Sequence, residues 1–244
     1  MRTVAFIPAR YASSRLPGKP LVELLGVPMI VHVARRTAAA LGSENTYVVT
    51  DDERISEVAL EYGFQVIMTS SSALTGTDRV AEAAEAVEAD IYVNVQGDEP
   101  MIDPESIRSV VSEKMRCPGA VINAMAVIGG GEDVHSVNIP KVVTNESRRL
   151  LYMSRNALPG FKDPLCAPKQ YWKQVCIYAF TRAELRAYAG LGRKSVVEQS
   201  EDIEILRFFD VGIDVQMVEV AAGSLAVDVP GDIARVERAM LEAS

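Results

Sequence analysis

Between residues 4 and 127, short apolar runs alternate with stretches in which apolar residues return at helical spacing, and few folds accept that pattern. The runs at 4–8, 46–50, 65–68, 91–95 and 120–127 have the length and character of buried strands. The stretches at 28–41, 53–62, 77–88 and 104–115 read as helices. With connections of a few residues, this order calls for a mostly parallel sheet covered by helices on both faces. Gly129-Gly130-Gly131 interrupts the alternation. Beyond it the order is less regular: strands at 141–144 and 150–152, then a proline-bearing loop at 156–170 that reads as a lid or a dimer contact. A strand at 172–180, helices at 182–188 and 197–211, a strand at 214–220 and a helix at 231–242 follow. No repeat or clean linker divides the 244 residues, so one α/β domain over 1–244 is expected.

The first strand runs into Ile7-Pro8-Ala9-Arg10-Tyr11-Ala12-Ser13-Ser14-Arg15-Leu16-Pro17-Gly18-Lys19-Pro20, a loop of small residues carrying cations at Arg10, Arg15 and Lys19. A loop leaving the carboxyl end of a strand is where open α/β sheets bind ligands. Small residues let backbone N–H groups approach an anion, and Arg and Lys both suit phosphate. The loop therefore looks built for a triphosphate; its other reading is a solvated basic loop. It contains neither Gly-x-Gly-x-x-Gly nor Gly-x-x-x-x-Gly-Lys-Ser/Thr, which removes most support for NAD-binding and P-loop readings.

Three further stretches carry chemistry. Val93-Asn94-Val95-Gln96-Gly97-Asp98-Glu99-Pro100 ends a buried strand in an amide, a glycine and two carboxylates at the same sheet edge as the loop. Hard oxygen ligands beside a triphosphate suit Mg²⁺. The competing reading is a turn capping the next helix, but Asp103 before Pro104 serves that role better and leaves Asp98 free. Asp228, after the apolar run Leu225-Ala226-Val227, is a candidate second ligand, whereas Asp232 reads as a helix cap. Thr75-Gly76-Thr77-Asp78-Arg79 opens a helix whose N-terminus favours anions or carbonyl oxygens. Arg79 with Gln96 can read a pyrimidine edge there, or the stretch is simply a capped helix start. Glu198, Glu201, Asp202 and Glu204 crowd one segment and read as a solvated face, with a ligand role open for Glu204.

Composition bounds the partners. A net charge of −8 argues against nucleic acid and makes the cationic loop a local feature. Cys117, Cys166 and Cys176 form no C-x-x-C pair, so neither zinc nor a disulfide framework is indicated and a reducing cytoplasm fits. No stretch is long enough to span a bilayer, so no membrane insertion is expected. His32 and His135 have no catalytic partner nearby in sequence. A triphosphate cradle with two carboxylates on Mg²⁺ can run nucleotidyl transfer by positioning and electrostatics alone.

The loop from Ile7 to Leu21 and the stretch from Val93 to Pro100 closely resemble the 3-deoxy-manno-octulosonate (Kdo) cytidylyltransferases. The resemblance continues through residues 75–79, Lys141-Val142-Val143, Ser154-Arg155 and Ile177-Tyr178. It ends in Glu198…Glu201…Glu204…Leu206-Arg207 and Asp228…Pro230…Asp232, so it spans nearly the whole chain. It implies a single Rossmann-like α/β nucleotidyltransferase domain and a homodimer, with a dimerisation and sugar-pocket segment at about residues 130–180. It implies transfer of CMP from CTP to the 2-hydroxyl of a 3-deoxy-octulosonate, with Mg²⁺, for lipopolysaccharide synthesis. Arg10, Arg15 and Lys19 would hold the triphosphate, and Arg79 and Gln96 would lie near cytosine. Asp98 and Asp228 would bind Mg²⁺ and, with Lys19, form the catalytic set. Arg155, Gln174, Tyr178 and Glu204 would face the sugar acid, with Arg155 pairing its carboxylate.

The chain departs from the family pattern at three places. Gln174-Val175-Cys176 stands where the family has His-Leu-Gly, Glu204-Ile205 where it has Glu-Gln, and Ala73 where it has His. Two of these changes are expected in the sugar pocket, making Gln174 and Ile205 candidate specificity positions. The acceptor implied is Kdo or a variant such as 8-amino-3,8-dideoxy-manno-octulosonate. The alternatives are another acidic sugar such as a nonulosonate, a cofactor precursor, or a nucleotide-binding module without catalysis.

Overall fold

The structure is a computed structural model and describes residues 1–12, 16–129, 131–222 and 225–242. β1 (Thr3–Ala9) leads through a single 3₁₀ turn to the hairpin of β2 (Glu23–Leu24) and β3 (Val27–Pro28), then to α1 (Met29–Leu41). β4 (Thr46–Thr50), α2 (Glu53–Glu61), β5 (Gln65–Met68), α3 (Gly76–Ala84), β6 (Ile91–Val95), α4 (Pro104–Arg116) and β7 (Val121–Val127) continue the alternation. β8 (Lys141–Thr144) and β9 (Leu150–Ser154) form an antiparallel ribbon, and β10 (Trp172–Phe180) returns to the sheet. α5 (Arg182–Gly190), α6 (Val196–Glu201), α7 (Arg207–Asp210), β11 (Val215–Glu219) and α8 (Pro230–Glu242) follow.

Among the described residues the sheet has nine strands, seven of them in the order β11-β7-β10-β6-β1-β4-β5. All pairs in that row are parallel except those of β10, which runs against both β6 and β7. The inner strands β1, β4 and β6 are buried along nearly their whole length, because helices cover both faces. One core packs Phe6, Tyr92, Val80 and Phe208 under α3, α5 and α7; the other packs Ile7, Ile30, Val93 and Ile107 under α1 and α4. Hydroxyl and carboxylate caps start the helices: Asp52 for α2, Thr75 for α3, Asp103 for α4, and capping boxes at Thr181 and Ser195 for α5 and α6.

The strand order reverses around β1: the chain first builds outward to β4 and β5, then returns to place β6 on the other side. A crevice at the carboxyl ends of β1 and β6 is the expected result, and it is where open α/β sheets take ligands.

Two segments differ from the sequence expectation. The hairpin at β2–β3 is not visible as an apolar pattern; Leu25 and Gly26 make its turn, both at positive φ. The single helix expected at 197–211 is broken. Asp202 caps α6 in the left-handed conformation (φ 50°), Ile203 is extended, and a 3₁₀ turn leads into α7. Asp tolerates that conformation better than most residues, and the break turns Glu204 toward α3.

Candidate active site

The crevice at the reversal point opens into a cavity of about 560 Å³. β1 delivers Arg10 to its wall, β6 delivers Gln96 and Asp98, and the α3 start delivers Gly76 and Arg79. Two glycines permit the approach. Gly18 has φ +69° and packs against the Tyr11 ring, while a Cβ on Gly97 would stand 3.0 Å from the carbonyl oxygen of Pro8. The Gly18 N–H donates to the Tyr11 carbonyl at 3.0 Å and closes the loop at its base. Arg15 lies outside the described residues.

Lys19 reaches the cavity floor, where its Nζ donates to Asp98 Oδ2 at 2.7 Å and to Asp228 Oδ1 at 3.3 Å. Burial alone would pull the ammonium pKa down, but the charges of Asp98 and Asp228 outweigh it and leave it above the ordinary lysine value. Asp228 is fixed from two sides. The Val227 N–H donates to the Asp98 carbonyl at 3.0 Å, and Asp232 Oδ2 accepts the N–H groups of Asp228 and Val229 at 2.9 and 3.1 Å. Asp232 is thus the third residue of the helix and not its cap; its carboxylate reaches back to the two residues before α8 and so aims Asp228. The α8 helix itself sits on β2 and α1 through Leu24, Met29, Val227 and Val236.

On the next wall, Arg79 is nearly fully buried behind the cavity. Its guanidinium pairs with Asp51 at 3.3 Å and donates to Thr69 Oγ1. Gln96 lies beside Gly76, whose Cβ position is 3.1 Å from Gln96 Nε2, so a side chain there would push the amide away. The α3 N-terminus, expected to receive a ligand anion or carbonyl, is already filled. Glu204 accepts from the N–H groups of Gly76 and Thr77 at 3.0 and 2.9 Å and from Thr77 Oγ1 at 2.6 Å. Burial raises the Glu204 carboxyl pKa even though these donors oppose it.

Val137, Asn138, Arg155, Lys194 and Asp202 line the third wall, and Ala73, just before the α3 start, lines the same cavity. Arg155 leaves the end of β9 and sends its guanidinium to three main-chain carbonyls: Nη1 to Val137 at 2.7 Å, Nη2 to Asp202 at 2.9 Å and Nε to Glu201. No carboxylate forms an ion pair with it among the described residues. Lys194 Nζ pairs with Asp202 Oδ1 at 3.0 Å.

Of the expected site residues, Arg10, Lys19, Arg79, Gln96, Asp98, Arg155, Glu204 and Asp228 line one cavity. Gln174 and Tyr178 do not. Gln174 Nε2 donates to Asn123 Oδ1 at 3.0 Å, and Asn123 in turn fills a register shift in β10 by donating to the carbonyls of Val175 and Ile177. Tyr178 is buried and stacks on Phe180, and burial pushes its hydroxyl pKa well up. Ile205 is in the core. Ala73 is the one departure from the family pattern on the cavity wall. The acidic segment is a solvated face only at Asp202: Glu198 is fully buried against Arg207, whose Nε and Nη2 donate to it at 2.7 and 2.6 Å. Sequence reasoning missed Asp51, Asn138 and Lys194. Asp51 sits at the carboxyl end of β4, the same signal that singled out Asp98; Asn138 and Lys194 lie in loops with no periodic pattern. His32 bonds the Leu24 carbonyl and the three cysteines are free.

A nucleotide-sized crevice with a cationic strand loop, converging carboxylates and an amide-and-guanidinium wall defines the class as a nucleotidyltransferase. The cytidylyltransferase family model matches residues 4–215, and the chain belongs to that family. The chain is 40% identical over 250 residues to a 3-deoxy-manno-octulosonate cytidylyltransferase of Trichlorobacter lovleyi, covering 98% of this chain and 99% of that one. It is 39% identical over 248 residues to an 8-amino-3,8-dideoxy-manno-octulosonate cytidylyltransferase of Shewanella baltica, covering 98% of each. The solved structure of a CMP:2-keto-3-deoxy-manno-octonic acid synthetase complexed with CTP superposes with a TM-score of 0.91 at 38% identity, covering 100% of both chains. No helix among the described residues is long and apolar enough to cross a membrane.

Proposed function

We propose that the protein transfers CMP from CTP to the 2-hydroxyl of a 3-deoxy-octulosonate and releases pyrophosphate, in a cytoplasmic step of lipopolysaccharide synthesis. The observation that carries this reading is the convergence of Asp98 and Asp228, from segments far apart in sequence, on one cation at the carboxyl end of β1 and β6. The relatives' names support the substrates.

In this reading Arg10 and Lys19 hold the triphosphate, joined by Arg15 from the same loop. Gln96 and Arg79 meet the cytosine edge, with Asp51 and Thr69 fixing the guanidinium. Arg155 takes the acceptor carboxylate, for which each terminal nitrogen keeps a second N–H. The acceptor hydroxyl then lies in line with the α-phosphorus, and the leaving pyrophosphate departs toward Lys19 and Arg10.

The two carboxylates fit Mg²⁺. They already embrace an ammonium, a stand-in cation, and two carboxylates with phosphate oxygens are a usual Mg²⁺ donor set. When bound, the ion would neutralise charge on the triphosphate and polarise the α-phosphate. A homodimer built through residues of the 130–180 segment belongs to the same reading.

A second acceptor is favoured by the cavity lining. There Ala73 opens space where the family has histidine, while the Asp202 carboxylate on the same cavity is already engaged by Lys194. The test is pyrophosphate release from CTP and Mg²⁺, with Kdo and its 8-amino analogue in parallel. Faster release with Kdo assigns Kdo, and faster release with the amino sugar assigns the analogue. Silence with both overturns the octulosonate reading.

A further inference from the structure

The Arg155 guanidinium is held by main-chain carbonyls and not by a direct ion pair, and what holds it is itself tied down by a single carboxylate. Its Nε and Nη2 donate to the carbonyls of Glu201 and Asp202, where α6 ends. The Glu201 side chain reaches in the opposite direction. Its Oε2 accepts the Arg155 N–H at 2.9 Å, and its Oε1 accepts from Ser154 Oγ at 2.7 Å and from the Tyr152 hydroxyl at 3.2 Å. The two residues therefore clasp each other, side chain to main chain both ways, across the junction between the β9 exit and the α6 end. Lys141, buried at the base of the ribbon, adds a third hold by donating to the Arg155 carbonyl and to that of Ser136.

We propose that Glu201 is a positioning residue for acceptor recognition: its carboxylate locks the α6 end onto β9, and that lock sets the Arg155 guanidinium in the cavity wall with its free N–H pair turned to a planar carboxylate. The proposal rests on the acceptor reading above. Glu201 itself does not line the cavity, so it acts through Arg155 and not by touching substrate. A guanidinium is a rigid fork, and bidentate pairing with a carboxylate fails when the fork is turned. Carbonyl partners hold it in place without the direct ion pair that a carboxylate partner would form.

The test is steady-state kinetics of Glu201→Ala, Glu201→Gln, Arg155→Ala and the Glu201→Ala/Arg155→Ala double variant, with CTP and Kdo varied separately. Glu201→Ala is expected to raise the KM for Kdo on the order of tenfold or more, as small misplacements of positioning groups do, while the KM for CTP stays within about twofold. Glu201→Gln keeps a carbonyl oxygen for the Arg155 N–H and is expected to restore most of the loss. The double variant is expected to be no worse than Arg155→Ala alone, because both changes remove one interaction. An unchanged KM for Kdo in Glu201→Ala beside a raised one in Arg155→Ala would overturn the proposal. So would additive losses, or equal losses for CTP and Kdo. If Arg155→Ala itself leaves the KM for Kdo unchanged, the acceptor reading fails and the role of Glu201 fails with it.

Discussion

Arg207 is fully buried, and its Nη1 donates to Asp78 Oδ1 at 2.7 Å behind the cavity wall. The same guanidinium donates to Glu198 through Nε and Nη2 and stacks on the Tyr188 ring at 3.8 Å. Asp78 belongs to the α3 start and Glu198 to α6, so one side chain joins the wall carrying Gly76 and Arg79 to the helix whose end accepts the Arg155 guanidinium. Arg207→Met would leave Glu198 buried without its cation. We expect a loss of about 3–5 kcal/mol, as for other broken buried pairs, read from urea unfolding. A loss below about 1 kcal/mol would mean that the network relaxes without it.

Lys19 stands between Asp98 and Asp228 at 2.7 and 3.3 Å, so both carboxylates are aimed at one point. Asp98→Asn is expected to keep the fold, because all three side chains are partly exposed, and to lower kcat/KM for pyrophosphate release by about a hundredfold or more. Chelation by EDTA should stop release by the unmodified enzyme, and added Mg²⁺ should restore it. Full activity of Asp98→Asn at ordinary Mg²⁺ would remove the carboxylate pair from the chemistry.

The parts of this molecule that follow periodic patterns were legible in the sequence. β4, β5, β6 and β10 lie where their apolar runs place them; for β4 and β6 the reason is that a strand buried on both faces leaves a continuous apolar signature, whereas β5 ends the row half-exposed. The cationic loop and Asp98 were legible because position at a strand's carboxyl end is itself a signal. What escaped depends on contacts between distant segments. Nothing local marks Glu198 as buried, since its partner Arg207 is reached only after the helix breaks at Asp202. Nothing local sends Gln174 to Asn123 instead of the cavity, since that bond repairs an irregularity between two strands far apart in sequence.

The Glu201 clasp also predicts a pH response. Burial opposes ionisation of Glu201, yet the Arg155 N–H and the Ser154 and Tyr152 hydroxyls outweigh it and hold the carboxyl below its ordinary value. A depressed folded-state pKa contributes stability that is present above the unfolded value, about 4.3 for Glu, and is lost as pH falls through the folded value. The unmodified protein should therefore lose this contribution only on acidification below about pH 4.3, and Glu201→Gln should flatten that part of the curve. Thermal melts at stepped pH measure it. Parallel curves for the two proteins would show that the carboxylate is not held in its ionised form.

Acceptor selectivity is predicted to follow Ala73 and to ignore the two other departures. Ala73 lines the same cavity as Arg155, whereas Gln174 is spent on Asn123 and Ile205 is buried in the core. Ala73→His would place a ring with a donor or acceptor nitrogen in the space beside the acceptor. We expect it to change the ratio of kcat/KM for Kdo over the 8-amino analogue by about tenfold or more, since a polar group left unpaired discriminates strongly between such analogues. Gln174→His should shift that ratio by less than about twofold, because its side chain has no path to the ligand. Ile205→Gln puts an amide into the apolar core under α3, α5 and α7 and should cost about 1–3 kcal/mol of stability while leaving the ratio of the folded enzyme unchanged. A ratio that moves with Ile205→Gln or Gln174→His but not with Ala73→His would place the discriminating contacts on β10 and the segment after α6, away from the wall that carries Ala73.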